Sequence, residues 1–588
     1  MKQFLKFTFA STLGVFIAAL ILSLLFFIII LSISFSSSNA TYTARPKTIL
    51  HLKLEGELVE RSQEDPFGFL IGNYINHDTQ ISLEDVLIAI KNAKENKNIE
   101  GIYIENSLFA ASTASIQEIR TALIDFKKSN KFIIAYGGTY MQNAYYLSTV
   151  ADKIIMNPQG TLDFRGLSAQ PMFLKKTLDK LGVNMQIFKV GTFKSATERF
   201  SEDKMSDANR EQVSEYVHSI WNQMLKDISA DRKIPVAVLN AYADSMMTFR
   251  PAGQSLQFGL VDTLMYSNDV IDLLKEKIGL KKTDELKLAS VSNVANMAES
   301  GKSEKNKIAI VYAVGGIDDG SKSSNDGIIS SELIKDLKKV REDEDVKAVV
   351  LRVNSPGGSA YGSEQIWKEV EAIKAVKPIV VSMGDYAASG GYYISCAAQY
   401  VIAQPTTLTG SIGIFGIIPD VSGLLKEVGV SYDRVNTNKF SDTPNLTRSM
   451  SADEKALMQS FVETGYDTFI TRCADGRKKT KEEINKIGQG HVWTGEKALQ
   501  LGLVDALGGI SDAVAKAAEL ASVDKYKIEK YPEKKGFFES LMEGFETSME
   551  TRMLQKFLGN NYKQYDYLQR IQSMDYIQAR LPFEVEIR

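Results

Sequence analysis

Two short stretches of this chain carry residue types suited to acyl transfer. The first is Met383-Gly-Asp-Tyr-Ala-Ala-Ser-Gly-Gly-Tyr-Tyr393. It follows the apolar run Pro378-Ile-Val-Val-Ser382, which reads as a buried strand, and leads into the weakly helical run Tyr392–Tyr400. Ser389 therefore stands where a strand gives way to a helix, with two glycines behind it. Small neighbours let a substrate backbone approach, and free amides at a helix start can bind an oxyanion, so the position suits a nucleophile. It equally suits a helix N-cap followed by glycines that serve packing. The second stretch, Pro356-Gly357-Gly358, is a flexible, amide-rich loop after another strand.

What must position these residues is an α/β fold, because the chain after residue 45 reads as alternating strands and helices with crossover connections. It also repeats itself. Tyr145-Tyr-Leu-Ser148 matches Tyr392-Tyr-Ile-Ser395. In the same register Pro158 matches Pro405, Gly166 matches Gly413, and Leu181-Gly-Val183 matches Val428-Gly-Val430. Further on, Leu256-Gln-Phe-Gly-Leu-Val-Asp262 returns as Leu499-Gln-Leu-Gly-Leu-Val-Asp505. Each half opens with a strand and an amphipathic helix capped by Ser82 or Ser331. Residues 46–295 and 306–530 are thus expected to be two copies of one fold, between an anchor and link at 1–45 and a helical tail at 531–588.

The copies differ where chemistry would sit. Ser389 aligns with Gln142, and the glycine pair aligns with the Leu108-Phe109-Ala110 region. The first copy instead carries Lys194, in Val190-Gly-Thr-Phe-Lys-Ser-Ala196, where the second has Ser441. Ser389 has no evident His or carboxylate to activate it. The four histidines are scattered (His51, His77, His218, His491). A base must come within about 3 Å of the hydroxyl, and nothing in the sequence brings His218 or His491 there. A lysine kept neutral by burial can take a serine's proton.

Composition excludes several alternatives. The chain has 588 residues, 44% hydrophobic and 24% charged, which suits two to four globular domains. A formal net charge of −3 gives no reason to expect nucleic acid. Two cysteines, Cys396 and Cys473, without ligand spacing give neither a disulfide framework nor a metal site, and no cofactor is implied. At the start, Lys2 and Lys6 precede an uncharged run from Phe7 to Ala44 whose centre, Val15–Leu31, is nearly all aliphatic or aromatic. About 20 apolar residues span a bilayer, more than a secretory signal's core needs. The reading is a retained single-pass anchor; cleavage at Ser38-Asn39-Ala40 is the alternative. The amino terminus tips the charge balance to N-inside, leaving the rest beyond the cytoplasm.

Four strings, in order on a duplicated chain, carry a resemblance. They are Gly191-Thr-Phe-Lys-Ser-Ala196, Asn354-Ser-Pro-Gly-Gly358, Tyr386-Ala-Ala-Ser-Gly-Gly-Tyr392 and Thr409-Gly-Ser-Ile-Gly413. With them the chain resembles the long, two-repeat form of the signal peptide peptidase A (protease IV) family, membrane-anchored serine proteases of bacteria. The resemblance implies a tandem duplicated spiral of βαβ units of the crotonase and caseinolytic-protease type, behind one transmembrane helix. It implies Ser389 as nucleophile, Lys194 as general base, the amides of Gly358 and Gly390 as the oxyanion hole, and Ser411 as the hydroxyl that holds the lysine amine. It also implies an inner-membrane location and a homotetrameric ring. One departure is that Glu198 is followed by Arg199, where the family string has proline.

Ser411-Ile-Gly-Ile-Phe-Gly-Ile-Ile418 reads either as a core strand or as an edge that binds an extended substrate. In the second case Ile412, Ile414 and Phe415 line apolar subsites, which would favour hydrophobic peptides such as spent signal sequences. Two rival readings remain: a crotonase-like acyl-CoA enzyme, and a non-catalytic membrane scaffold on the protease fold. In the tail, Phe537, Phe538, Leu541, Met542, Phe545, Met553, Leu554, Phe557 and Leu558 have helical, amphipathic spacing.

Overall fold

The computed structural model describes residues 2–37, 42–62, 80–297, 304–319, 327–534 and 577–581. The Ser38–Ala40 cleavage alternative and the apolar tail positions Phe537–Leu558 lie outside them. Lys2–Ser37 forms one helix, and its Lys6–Leu24 stretch is long and apolar enough to cross a membrane.

Each half of the chain builds a mainly parallel sheet, the second with one antiparallel edge strand, Val492–Thr494, beside Leu408–Gly410. In the first, Gln80–Ser82, Thr48–Val59, Ile99–Ala110, Phe132–Tyr140, Lys153–Leu162 and Thr263–Leu264 lie side by side, and Lys287–Ser290 joins Thr48–Val59. In the second, Lys527–Tyr531, Lys307–Val314, Val346–Ser355 and Ile379–Ala388 follow one another, and Ile379–Ala388 then pairs with Tyr400–Ala403 and with Leu408–Gly410. The central strands read as unbroken apolar runs, since helices cover both faces of such sheets. Val349, Val350, Leu351, Val380 and Val381 are all fully buried. Each such side chain is worth about 1.5–3 kcal/mol when removed from water.

The two halves repeat one another down to single hydrogen bonds. Tyr145 OH donates to the Leu260 carbonyl at 2.9 Å, and Tyr392 OH donates to the Leu503 carbonyl at 2.9 Å. Asp262 accepts from the Ile154 amide at 2.7 Å and pairs with Arg232, and Asp505 accepts from the Val401 amide at 2.8 Å and pairs with Arg477. The helices Asp207–Arg232 and Ala452–Arg477 both end on a left-handed lysine, Lys233 and Lys478. The opening helices differ at their caps. Ser82 accepts from the Asp85 amide and caps Leu83–Glu95. Ser331 does not cap its helix: Gly327–Ile329 runs straight into Ser330–Glu342, so Ile329 takes the cap position and Ser331 falls inside the first turn.

Between the halves lies a buried charge cluster. Arg352, with no exposed surface, donates to Glu60 at 3.0 Å, Glu118 at 2.8 Å and the Ser382 hydroxyl at 2.9 Å. Gly384 leaves the room: a β-carbon there would stand 2.6 Å from Glu60 Oε1. Both carboxylates come from the first half and the guanidinium from the second. Arg352→Ala would strand two buried carboxylates, so it is expected to destabilise the folded chain by about 3–5 kcal/mol, read as the shift of a urea unfolding midpoint.

A third, six-stranded sheet draws on both halves and on the chain's last described residues. Its order is Gly327–Ile329, Gly316–Asp318, Gly357–Ser359, Ile577–Arg580, Phe415–Asp420 and Asn184–Lys189. Asn184–Lys189 from the first half runs antiparallel to Phe415–Asp420 from the second, with Lys189 opposite Phe415. That pairing delivers the segment after residue 189 to the end of the strand that leads to Ser389.

Candidate active site

Ser389 follows the strand Ile379–Ala388 and precedes the short helix Gly390–Ser395. Its backbone is at φ 55, ψ −113, a conformation a side chain rarely adopts. Such a residue costs about 1–3 kcal/mol and persists only where its surroundings hold it. Here its amide donates to the Gly410 carbonyl at 2.8 Å. The sharp turn points the hydroxyl toward Lys194, whose Nζ lies 2.8 Å from Ser389 Oγ, although the two residues are 195 apart in sequence.

Lys194 Nζ also reaches Ser411 Oγ at 3.0 Å and the Ser411 carbonyl oxygen at 3.1 Å. Ser411 itself sits at φ 49, with its amide donating to the His491 carbonyl at 2.7 Å. Three oxygens thus surround the amine, and no carboxylate is among them. Lys194 has no exposed surface, and burial holds its pKa well below 10.5. A buried ammonium without a counter-ion is costly, so the neutral amine is favoured; a neutral amine can accept a proton.

The loop that carries Lys194 is tied down from three sides. Gln212, on the helix Asp207–Arg232, donates to the Phe193 carbonyl at 3.0 Å and to Ser195 Oγ at 2.9 Å. Its own carbonyl accepts from the Val492 amide at 3.2 Å, which binds the lysine loop to the second half. Glu198 accepts from Ser206 Oγ at 2.5 Å and from Asn209 Nδ2 at 2.9 Å. The loop is thus held through Glu198 even though arginine follows it. Gly490 packs against the loop's backbone: a β-carbon there would stand 2.6 Å from Lys194 Cα. Sequence reasoning missed Gln212, Asn209 and Gly490.

Gly357 and Gly358 form a short strand facing the serine turn. The Gly357 amide is spent on Ser355 Oγ at 3.1 Å, and Gly357 adopts φ 92. Gly390 opens the helix directly after Ser389, and a β-carbon on Gly357 would lie 2.7 Å from the Gly390 nitrogen. The glycine loop and the serine turn are therefore in contact.

The remaining candidates divide. Ile412 and Ile414 are buried in the hydrophobic core of the second half, and the Phe415 ring centroid lies 5.8 Å from Lys194 Nζ. The Ser411–Ile418 stretch is not one strand. The Leu408–Gly410 strand ends before it, and only Phe415–Asp420 is extended, with Asn184–Lys189 on one edge. His218 is exposed and its Nδ1 bonds the Ser214 carbonyl at 2.7 Å. His491 is stacked on Trp493 at 3.6 Å, and burial pulls its pKa down to about 4. Among the described residues, neither ring bonds Ser389. Gln142, the counterpart of Ser389, donates to the Gly166 carbonyl at 3.1 Å and accepts from the Arg165 and Gly166 amides at 3.0 Å. Ser441, the counterpart of Lys194, is exposed.

The pattern of Peptidase family S49 matches this chain twice, over residues 125–281 and 371–524. Protease 4 of Salmonella typhi is 38% identical over 557 residues, covering 92% of this chain and 89% of that one. Protease 4 of Haemophilus influenzae is 34% identical over 86% of this chain and 85% of its own length. The chloroplastic serine protease SPPA of Arabidopsis thaliana is 30% identical over 73% of this chain and 64% of its own.

Proposed function

The chain belongs to Peptidase family S49 and is a serine peptidase; on that premise we propose that Ser389 is its nucleophile and Lys194 its general base. The observation that carries this reading is the 2.8 Å contact between a fully buried lysine, without a counter-ion among the described residues, and a serine in a strained turn. Ser389 Oγ adds to a peptide carbonyl while its proton passes to Lys194 Nζ. Ser411 holds the amine in line. The amides of Gly358 and Gly390 receive the negative charge that develops on the carbonyl oxygen, each such donor being worth about 3–4 kcal/mol in the transition state. Lys194 then protonates the leaving amine, and water attacks the acyl-enzyme by the reverse route.

Residues 46–295 and 306–530 act as two copies of the βαβ spiral, one supplying the base and the other the nucleophile. Residues 1–45 anchor the peptidase in the inner membrane, with both copies beyond the cytoplasm and residues 531–588 following as a tail whose Ile577–Arg580 strand returns to the third sheet. Hydrophobic peptides such as signal-peptide remnants are its substrates, taken as extended strands beside Phe415 in the place where Ile577–Arg580 pairs in this structure, with Ile412 and Ile414 as the apolar subsites. The working form is a homotetramer. Exposed Val428, Val430, Tyr432 and Val435, close together in sequence, offer apolar contact area for it.

A fluorophosphonate probe is expected to label Ser389, and Ser389→Ala is expected to remove the label together with cleavage of a leucine-rich peptide. Labelling that survives in Ser389→Ala would reject this serine as the nucleophile. An acyl-CoA enzyme or a scaffold on this fold would take no label.

Gly490→Ala is expected to displace Lys194, since its β-carbon would collide with lysine backbone and not with a flexible side-chain end. A shift of about 1 Å at a catalytic group costs up to about a hundredfold in rate. The expected result is a drop of that order in kcat with KM little changed.

A further inference from the structure

Three consecutive residues of the second half, Gln489-Gly490-His491, lie between the lysine loop and the segments that hold Ser411 and Ser389. The Gln489 carbonyl accepts from the Phe193 amide at 2.9 Å, and Gly490 packs on the Lys194 backbone. The Gly490 amide donates to the Ile412 carbonyl at 2.8 Å, next to the Ser411 amide's bond to the His491 carbonyl. A β-carbon on Gly410 would stand 2.9 Å from that His491 oxygen, and the Gly410 carbonyl in turn accepts from the Ser389 amide. The tripeptide is a wedge that spaces the base from its two hydroxyl partners.

Its backbone needs an outside hold. Gln489 sits at φ 52, a left-handed conformation that a residue with a side chain keeps only where its surroundings fix it. The His491 ring supplies that hold. It stacks on Trp493 with centroids 3.6 Å apart and planes 9° apart, and Phe193, the residue before Lys194, packs against it at 4.2 Å. Trp493 is itself fixed, its Nε1 donating to the Ile487 carbonyl at 2.9 Å. His491 Nδ1 lies 3.0 Å from the Val492 carbonyl, which can only accept, so Nδ1 carries the proton. Nε2 stands 3.6 Å from Glu215, outside hydrogen-bond range. The ring is buried and stays neutral at neutral pH, so it acts through its faces and not through a charge.

We propose that His491 is a positioning residue of the peptidase: by packing with both Phe193 and Trp493, its ring locks Gln489–His491 and so fixes how far Lys194 stands from Ser411 and Ser389. This rests on the Ser389–Lys194 reading above. His491 touches no reacting atom. Without the ring the wedge can retreat, the lysine loop loses the backbone pressed against it, and water reaches the amine. Two consequences separate this from simple loss of packing. kcat falls while KM holds, since alignment is lost and not substrate binding. The pH midpoint of kcat/KM rises toward 10.5, since hydration favours the protonated amine. The side chains facing that amine are Ser389, Ser411 and Phe415, none of which titrates in that range.

The test compares His491→Ala, His491→Phe and His491→Asn. Phenylalanine keeps both aromatic contacts, whereas asparagine keeps a donor near the Val492 carbonyl and has no ring. His491→Ala and His491→Asn are expected to lower kcat about ten- to a hundredfold, with KM little changed and the midpoint raised. His491→Phe is expected to restore both. Urea unfolding is followed in parallel; should His491→Ala not fold, Trp493→Leu removes one stacking partner and gives the same readout. Wild-type kcat and midpoint in His491→Ala would overturn the proposal and leave the peptidase reading standing. So would a fall in kcat with an unmoved midpoint, or a loss in His491→Phe equal to or greater than that in His491→Asn. A wild-type chain that neither takes the fluorophosphonate label nor cleaves peptide would instead sink the Ser389–Lys194 reading, and this one with it.

Discussion

Replacing Lys194 with methionine is expected to lower kcat/KM about a thousandfold or more, with secondary structure unchanged by circular dichroism. Loss of one member of a nucleophile–base pair removes nearly all the benefit of the other. Methionine keeps the stem and its packing but cannot accept a proton. Arginine should fail equally, because its guanidinium stays protonated. The same residue sets two pH dependences. A general base at Lys194, as proposed, needs the neutral amine, and burial has pushed the pKa well below 10.5, so kcat/KM is expected to rise with pH and to level off well before that value. Stability moves in the same direction. Between the depressed folded pKa and the unfolded value near 10.5, the unfolded chain binds a proton that the folded chain does not. Stability therefore climbs with pH through that window, by up to about 1.4 kcal/mol per unit. Lys194→Met should lack that component. A variant with wild-type turnover would remove Lys194 from the mechanism, and an unchanged stability slope would show that the amine is charged in the folded state.

Gly358→Ala is expected to cost about a hundred- to a thousandfold in kcat, the loss typical of one oxyanion donor. The physical reason is backbone crowding. A β-carbon on Gly358 would overlap the Ile317 carbonyl oxygen and stand 2.7 Å from its carbon. That neighbour is another strand's main chain, which cannot rotate aside. The loop must retreat from Ser389, and its amide loses the position where charge develops. KM should change less than kcat, because the ground-state carbonyl depends less on that donor. A control is Gly253→Ala, whose added carbon meets nothing within 4 Å. If Gly358→Ala and this control retain equal kcat, Gly358 supplies no oxyanion donor.

Much of the architecture was legible in the residues because parallel strands covered on both faces must be apolar throughout. Pro378–Ser382 announced the strand that ends at Ser389, although the strand proved to run on to Ala388. The duplication was legible because each copy keeps the same internal bonds, such as Tyr145 to Leu260 and Tyr392 to Leu503, and so the same residues at the same spacing. Ser331 was misjudged as a cap because a serine before an amphipathic run looks the same whether the preceding strand stops short of the helix or joins it directly.

The sequence by itself determined which groups were available: one serine in a strand-to-helix turn, one lysine without a counterpart in the other copy, glycines in front, and no evident histidine or carboxylate to activate the serine. These are properties of residue type and local spacing. Tertiary structure decided which of them meet. The antiparallel pairing of Lys189 with Phe415, the collar of Gln212, Glu198 and Gly490, and the burial that depresses the lysine all join segments distant along the chain. No local pattern encodes them, because contact, desolvation and backbone strain depend on what the rest of the fold brings alongside.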